Sequence, residues 1–195
     1  HYSTDYVFDG KNTKSYIETD TTNPLSVYGN TKLSGENEII KSGCNHLIFR
    51  TSWVYSKEGH NFINTIVKLA KEREQLRVVS DQTGCPTSAD FIADITTHCI
   101  VQNLHYKKQG IFNITAQGEV SWYELALFVI KELQTRGVKL KTLPYNVTPI
   151  NTSEYPLPAA RPLYSKLNTE KINQIFSINI PEWQYHVKMM LDYYK

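Results

Sequence analysis

Hydrophobic and polar positions along the chain predict strands and helices in alternation. Short apolar runs predict three strands, at residues 44–50, 76–79 and 110–115. Residues 1–8 have the pattern of a core strand that leads into a loop. Apolar residues spaced by three and four predict helices at residues 24–42, 59–74, 89–104, 122–136, 169–176 and 181–195. This alternation indicates an α/β fold with a mostly parallel sheet.

Turn and capping residues mark where these elements begin and end. Asn23 and Pro24 predict the start of the first helix, and Gly43 predicts its end. Ser121 predicts the start of the helix at 122–136 by capping its first turn. Residues 144–162 contain five of the eight prolines, so we expect an extended loop there.

The composition narrows the class of protein. With 41% hydrophobic and 21% charged residues, the 195-residue chain resembles an ordinary globular domain. A net charge of +2 without a basic cluster argues against nucleic-acid binding, and no apolar run is long enough to cross a bilayer. The odd number of cysteines without metal-type spacing predicts free thiols that are buried or half-buried, a cytoplasmic location and no metal site; they are Cys44, Cys85 and Cys99.

One segment of the first predicted helix carries candidate chemistry. Lys32 follows Tyr28 by four residues, so a helix places both side chains on one face. Because a fixed ammonium group stabilises a phenolate, the pair suits a proton donor that serves a developing alkoxide. The same spacing is common in helices that only expose an aromatic residue and a lysine, so the pair alone does not identify an enzyme.

Several motifs resemble those of extended short-chain dehydrogenase/reductases. The first two are S-T-D-Y-V-F-D-G at residues 3–10 and P-L-S-V-Y-G-N-T-K-L-S-G-E at residues 24–36. Four others are similar to motifs of the dTDP-4-dehydrorhamnose reductase family: R-T-S-W-V-Y at 50–55, N-F at 61–62, D-Q-T-G-C-P-T at 81–87 and R-P at 161–162. The resemblance covers nearly the whole chain.

This resemblance implies both a fold and an activity. The fold would be α/β, with a Rossmann-like parallel sheet that is incomplete because its N-terminal strands are missing, and with a small α/β C-terminal substrate-binding part. The activity would be reduction of the C4 ketone of dTDP-4-dehydro-L-rhamnose to dTDP-L-rhamnose, in dTDP-rhamnose biosynthesis. The cofactor would be NADPH or NADH.

The resemblance also implies catalytic roles for three residues. Thr4 would hydrogen-bond the reacting sugar oxygen, and Tyr28 would donate the proton while a hydride arrives from the nicotinamide. Lys32 would hold the nicotinamide ribose and stabilise the Tyr28 phenolate, so Tyr28 and Lys32 would both bind the cofactor. From the residues alone, Thr4 equally fits a capping residue at a strand end.

Substrate binding would involve Thr4 and three further residues. Asp5 would contact the sugar nucleotide, and Trp53 would line the sugar pocket, where an aromatic face suits an apolar sugar surface. Arg161 would face the diphosphate because a guanidinium group matches phosphate oxygens. A tryptophan after a strand is also common in cores, and an arginine before a proline is common on surfaces.

The sequence lacks a glycine-rich pyrophosphate loop. Its nine glycines nowhere form G-x-x-G-x-x-G or G-x-G-x-x-G, the patterns that place a dinucleotide at a helix N-terminus. We therefore expect a C-terminal portion of a reductase that lacks the N-terminal dinucleotide-binding half and has no turnover by itself. Residues 1–80 would be the remainder of the Rossmann-like domain, and residues 81–195 mainly the sugar-nucleotide-binding part.

Two other functions fit part of the same pattern. A non-catalytic relative, such as the regulatory beta subunit of methionine adenosyltransferase, would share the Thr/Tyr/Lys neighbourhood and act as a binding partner. A sugar-nucleotide epimerase or dehydratase would share the fold, and the Thr4-Asp5 pair leaves a dehydratase open. The expected partner is a dTDP-sugar substrate, with no nucleic acid and no membrane, and an exposed sheet edge would favour a homo-oligomer.

Overall fold

The computed structural model describes residues 1–156 and 158–194, without the side chains of residues 105 and 106. Its strands are β1 (Tyr2–Thr4), β2 (Leu47–Thr51), β3 (Val54–Tyr55), β4 (Leu76–Val79), β5 (Thr83–Gly84), β6 (Thr87–Ser88), β7 (Gly110–Asn113), β8 (Val120–Ser121) and β9 (Val147–Ile150). Its helices are α1 (Val27–Lys41), α2 (Phe62–Glu72), α3 (Ala89–Tyr106), α4 (Trp122–Thr135), α5 (Glu170–Phe176) and α6 (Trp183–Leu191).

A three-stranded parallel sheet in the order β1-β2-β7 organises the fold. Tyr2 pairs with Phe49 in one ladder, and Leu47 pairs with Gly110 in the other. Three two-stranded sheets lie beside it: β3 with β6 and β4 with β9, both parallel, and β5 with β8, which is antiparallel. The predicted α/β fold with a small, incomplete parallel sheet is confirmed.

Helix α1 begins three residues later than the sequence predicts. Ser26 is its N-cap, since the Ser26 hydroxyl accepts a hydrogen bond from the Gly29 backbone N–H at 3.1 Å. The predicted cap, Asn23, instead donates its side-chain amide to Asp9 in the preceding loop. Both residue types can cap a helix, so the competing contact with Asp9 decides between them.

The sequence predicts an extended loop at residues 144–162. This prediction is wrong for Val147–Ile150, which form the strand β9. This strand pairs in parallel with β4, although it contains Pro149, which has no N–H to donate. The Ile150 carbonyl accepts a hydrogen bond from the Ser80 N–H at 2.9 Å, so the polar groups of Ile150 face β4. Backbone polar groups of successive residues point to opposite edges of a strand, so the backbone of Pro149 faces away from β4. The missing N–H of Pro149 therefore removes no hydrogen bond between β4 and β9.

The buried side chains form two main clusters. The larger packs α2, α4 and α6 against β4, and its fully buried members include Ala70, Val129 and Leu133. The second lies under β2 and β7 and includes Phe112 and Phe176. Within the described part of the chain, every helix is too short or too polar to cross a membrane.

The three thiols are free, as predicted, but they are not all buried. Cys85 and Cys99 are buried, and Cys44 is exposed. Cys44 follows the end of α1 in a polar turn, so the burial common for a free cysteine does not apply to it.

Candidate active site

The carboxyl ends of β1 and β2 lie side by side and bring candidate residues together. Thr4 is in register with Thr51, so the residues that follow, Asp5 and Ser52, become neighbours. Ligand sites of parallel α/β sheets form at this edge. Thr4 and Asp5 therefore lie at the edge of the sheet where such sites form.

Asp5 is a buried carboxyl group surrounded by hydroxyl groups. Thr4 Oγ1 donates to Asp5 Oδ1 at 3.0 Å, and Ser52 Oγ donates to Asp5 Oδ2 at 3.1 Å. Asp5 is only 2% exposed, and this burial raises the pKa of its carboxyl group to about 6, a rise that the hydrogen bonds from Ser165, Thr4 and Ser52 limit. The carboxyl group thus contacts its own protein rather than open solvent.

We expect the raised pKa of Asp5 to make stability depend on pH. The folded state holds the Asp5 proton more tightly than the unfolded state, so this contribution is fully present below the ordinary pKa of 3.8 and is lost as the pH rises through about 6. As the pH rises over that range, the free energy of unfolding of the parent protein should fall relative to that of Asp5→Asn. Above that range the difference should level off. Urea denaturation at a series of pH values measures it, and a difference independent of pH would contradict the assignment.

The hydroxyl group of Thr4 is held on two sides by the protein. Its proton is donated to Asp5, and its oxygen accepts the Tyr6 backbone N–H at 3.2 Å, which caps the 3₁₀ turn Asp5–Val7. While Asp5 is ionised, Thr4 therefore offers a ligand a lone pair rather than a proton. Both interpretations of Thr4, as a capping residue and as a site residue, are compatible with this geometry.

Tyr28 reaches the same edge because α1 packs closely on the 3₁₀ turn. At Gly29, a Cβ atom would lie 2.2 Å from the Tyr6 carbonyl oxygen, so only glycine allows this approach. The Tyr28 ring contacts the Tyr6 ring edge to face, with centroids 6.2 Å apart. Tyr28 is 54% exposed. Its ring therefore lies beside Tyr6, two residues after Thr4 in the sequence, and remains open to a ligand.

Tyr6 links the site residues, and the sequence analysis did not select it. Burial raises the pKa of Tyr6 to about 12, the negative charge of Asp5 adds to the rise, and the positive charge of Arg161 opposes it. Arg161 is thus near enough to this edge to influence its charges, although it lies far away in the sequence. The available signal was an aromatic residue directly after Thr4-Asp5 in the same motif.

A buried ion pair sets the orientation of α1. Glu36 lies on the same helical face as Tyr28 and Lys32, at successive steps of four residues. Arg50 of β2 binds the Glu36 carboxylate through two hydrogen bonds of 2.9 and 2.6 Å, and both side chains are almost fully buried. Because two parallel bonds fix the guanidinium group in one plane, the pair tethers the Tyr28 face of α1 to the sheet.

Trp53 belongs to an aromatic stack and also lines a small cavity of about 110 Å³. Its backbone has a φ of 46°, which is unusual for a bulky residue. Its indole stacks on Trp122 with centroids 3.4 Å apart, and Phe62 contacts Trp122 in turn. On Gly84, a Cβ atom would lie 2.5 Å from the Trp53 ring, so the Gly84 backbone packs against it. Trp122 therefore covers one face of the Trp53 ring, while the Trp53 side chain still lines the small cavity.

A cleft of about 1030 Å³ lies between α2, β4, β9 and the segments 152–156 and 159–161. Trp122 and Phe62 line one end of it. Three arginines also line it, and one of them, Arg77, forms an ion pair with Glu154 at 2.8 Å. The others are Arg73 and Arg161. Arginine and aromatic side chains in one cleft match a ligand that carries both phosphate and apolar groups.

Comparison with known proteins identifies the family of this chain. The family described as the RmlD substrate binding domain matches residues 1–195. A dTDP-4-dehydrorhamnose reductase from Escherichia coli (strain K12) is 47% identical over 193 residues, which are 98% of this chain and 64% of that protein.

Solved structures agree as well. One is a dTDP-4-dehydrorhamnose reductase from Bacillus anthracis in complex with NADP, with a TM-score of 0.84 and 32% identity over 100% of this chain and 65% of that one. Another is a dTDP-4-dehydrorhamnose reductase from Clostridium acetobutylicum, with a TM-score of 0.84 and 36% identity over 98% of this chain and 64% of that one.

These proteins are longer than the present sequence, which spans a little less than two thirds of each. The match of the family, by contrast, runs over the whole chain. The chain therefore belongs to the RmlD substrate binding domain family.

Proposed function

We propose that this chain forms the substrate-binding and proton-donating part of a dTDP-4-dehydrorhamnose reductase. The observation that carries the proposal is the high identity to such reductases along almost the whole chain. The reaction would be reduction of the C4 ketone of dTDP-4-dehydro-L-rhamnose to dTDP-L-rhamnose. The same identity favours a reductase over the regulatory subunit, epimerase and dehydratase alternatives.

Tyr28 would donate the proton to the reacting oxygen. Its exposed phenol lies next to Tyr6 at the edge where Thr4 and Asp5 lie. Reduction places negative charge on the ketone oxygen, so a phenol hydrogen bond there strengthens as the transition state forms. Thr4 would hydrogen-bond the same oxygen after its hydroxyl proton turns from Asp5 to the substrate, and Asp5 would hold that hydroxyl group in place until then.

NADPH or NADH would supply the hydride when it is bound. Lys32, which is partly exposed one turn after Tyr28, fits the ribose of the nicotinamide and would also stabilise the phenolate. A glycine-rich cradle for the pyrophosphate is not found in this sequence, so the chain fits only the nicotinamide end of such a cofactor. We accordingly propose that residues 1–80 serve the cofactor side and residues 81–195 mainly the sugar nucleotide.

The cleft would hold the nucleotide part of the substrate. Arg161 lines it and is the candidate for the diphosphate, since its charge also reaches Tyr6 at the catalytic edge. Trp122, which lines the cleft, is a better candidate than Trp53 for an aromatic contact with the ligand. Trp53 would then act as the support of Trp122.

The setting that we propose is the cytoplasm, where free thiols such as those of this chain persist. β1 is an edge strand of the three-stranded sheet among the described residues, and such an edge can pair with another chain. We propose that any self-association of this chain uses that edge.

Calorimetric titration with dTDP-L-rhamnose, NADPH and UDP-N-acetylglucosamine tests this function. We expect heat of binding with dTDP-L-rhamnose, because the substrate cleft is formed within this chain, and none with NADPH, because the pyrophosphate cradle is not. An Arg161→Ala variant should bind dTDP-L-rhamnose more weakly. Preference for UDP-N-acetylglucosamine, or turnover of the keto sugar by this chain alone, would contradict the proposal.

A further inference from the structure

Gln82 connects two walls of the cleft through a chain of hydrogen bonds. Trp122 Nε1 donates to Gln82 Oε1 at 3.1 Å, and Gln82 Nε2 donates to Thr152 Oγ1 at 3.0 Å. Thr152 Oγ1 donates in turn to Asp81 Oδ1 at 2.7 Å, and the Thr152 backbone N–H donates to the same carboxylate. These hydrogen bonds thus connect the first residue of α4 to the segment that leads to Arg161.

Trp122 and Asp81, at the two ends of this series of hydrogen bonds, fix which group donates in each bond. An indole N–H can only donate, so the Gln82 oxygen must face Trp122 and the amide nitrogen must face Thr152. A carboxylate can only accept, so the Thr152 proton points to Asp81 and the Thr152 oxygen accepts from Gln82. An amide offers an acceptor and a donor at once. A glutamate at position 82 would lack the donor, and a leucine would lack both.

Gln82 is buried, 5% exposed, and both of its amide atoms are used. A buried amide with a lost partner is costly, so the side chain resists movement of Trp122 relative to Thr152. Trp122 stacks on Trp53, and Gly84 packs against Trp53 from the same loop that carries Gln82. A displacement of Thr152 would therefore also displace the indole rings of Trp122 and Trp53.

We propose that Gln82 is a positioning residue of the cleft: it couples the indole stack of Trp53 and Trp122 to the wall formed by residues 152–156 and 159–161. A ligand held by Arg161 on that wall is thereby presented to Trp122 in one orientation. This last step rests on the proposed function, since it requires a sugar nucleotide in the cleft, whereas the coupling itself requires no ligand.

Near-ultraviolet circular dichroism tests the coupling without a ligand. Thr152→Val keeps the shape of the side chain and the backbone contact with Asp81, but it removes the acceptor for Gln82. Thr152→Ser keeps the hydroxyl group and is the matched control. A Trp122→Phe variant defines which part of the spectrum belongs to the stack, because Trp183 also contributes. We expect Thr152→Val to lose that part of the spectrum and Thr152→Ser to retain it; a parent-like spectrum of Thr152→Val would overturn the coupling.

Calorimetry with dTDP-L-rhamnose tests the positioning of a ligand. Loss of one buried hydrogen bond predicts an affinity about 3- to 10-fold lower for Thr152→Val and near the parent value for Thr152→Ser. If the parent protein binds and Thr152→Val binds equally well, the positioning role is refuted. If the parent does not bind at all, the proposed substrate is wrong, and the dichroism of the same two variants still decides whether Gln82 couples the walls.

Discussion

Replacing Glu36 by alanine is expected to lower the free energy of unfolding by about 3–5 kcal/mol, because it leaves the Arg50 charge buried without its partner. Among the described residues, the Arg50 guanidinium group would keep its hydrogen bond to the Glu18 carbonyl oxygen and its contact with the Phe8 ring. Neither group neutralises a positive charge. Equilibrium denaturation with urea measures the loss.

The same helix offers a matched control on its exposed side. Glu38 forms an ion pair with Lys41 at 2.8 Å, but both side chains are more than two thirds exposed. Glu38→Ala should therefore cost at most about 0.5 kcal/mol. Replacing Glu36 by leucine and Arg50 by methionine together should recover much of the loss of Glu36→Ala, since no charge is then left buried. Equal losses in Glu36→Ala and Glu38→Ala would mean that the buried pair does not hold α1.

Gly29→Ala is expected to destabilise the fold by about 1–3 kcal/mol, although alanine favours helices more than glycine does. The new methyl group would overlap the Tyr6 carbonyl oxygen, which is backbone and cannot rotate away. Helix α1 would have to move away from the 3₁₀ turn Asp5–Val7. Tyr28, the neighbour of Gly29, would then shift away from Tyr6.

Gly35→Ala in the same helix separates this clash from the effect of helix propensity. A Cβ atom at Gly35 would lie 3.5 Å from Nε2 of the His1 side chain, which is ordinary contact. We expect Gly35→Ala to raise the free energy of unfolding by up to about 1 kcal/mol. If both variants are stabilised alike in thermal and urea denaturation, the close approach at Gly29 is not a constraint on α1.

Local patterns in the sequence were sufficient for part of this structure. The apolar run at 76–79 predicts β4 with the bounds that the structure has. Ser121 caps α4 as predicted, and Glu124 completes a capping box with it. The spacing of Tyr28 and Lys32 places both on one face of α1, as the pattern indicates. Each of these features depends on contacts within a few residues, which a sequence displays directly.

Features that depend on distant partners could not be predicted in this way. β9 forms because β4 lies beside it, and its own proline-containing sequence indicates a loop. Tyr6 and Trp122 enter the site only when a second segment packs against each of them, Tyr28 in one case and Trp53 in the other. The covered face of Trp53 has the same origin, since nothing in the motif at residues 50–55 indicates that an indole from α4 will stack on it.

The proline in β9 also bears on how the molecule behaves at high concentration. Pro149 directs its polar groups away from β4, toward an edge to which no other strand in the described part of the chain is paired. A strand from another molecule that attempted to extend this small sheet would find one of its hydrogen-bond donors missing. Proline on an open edge is a common safeguard against amyloid-like stacking. The residue that made this segment resemble a loop thus protects the sheet from uncontrolled growth.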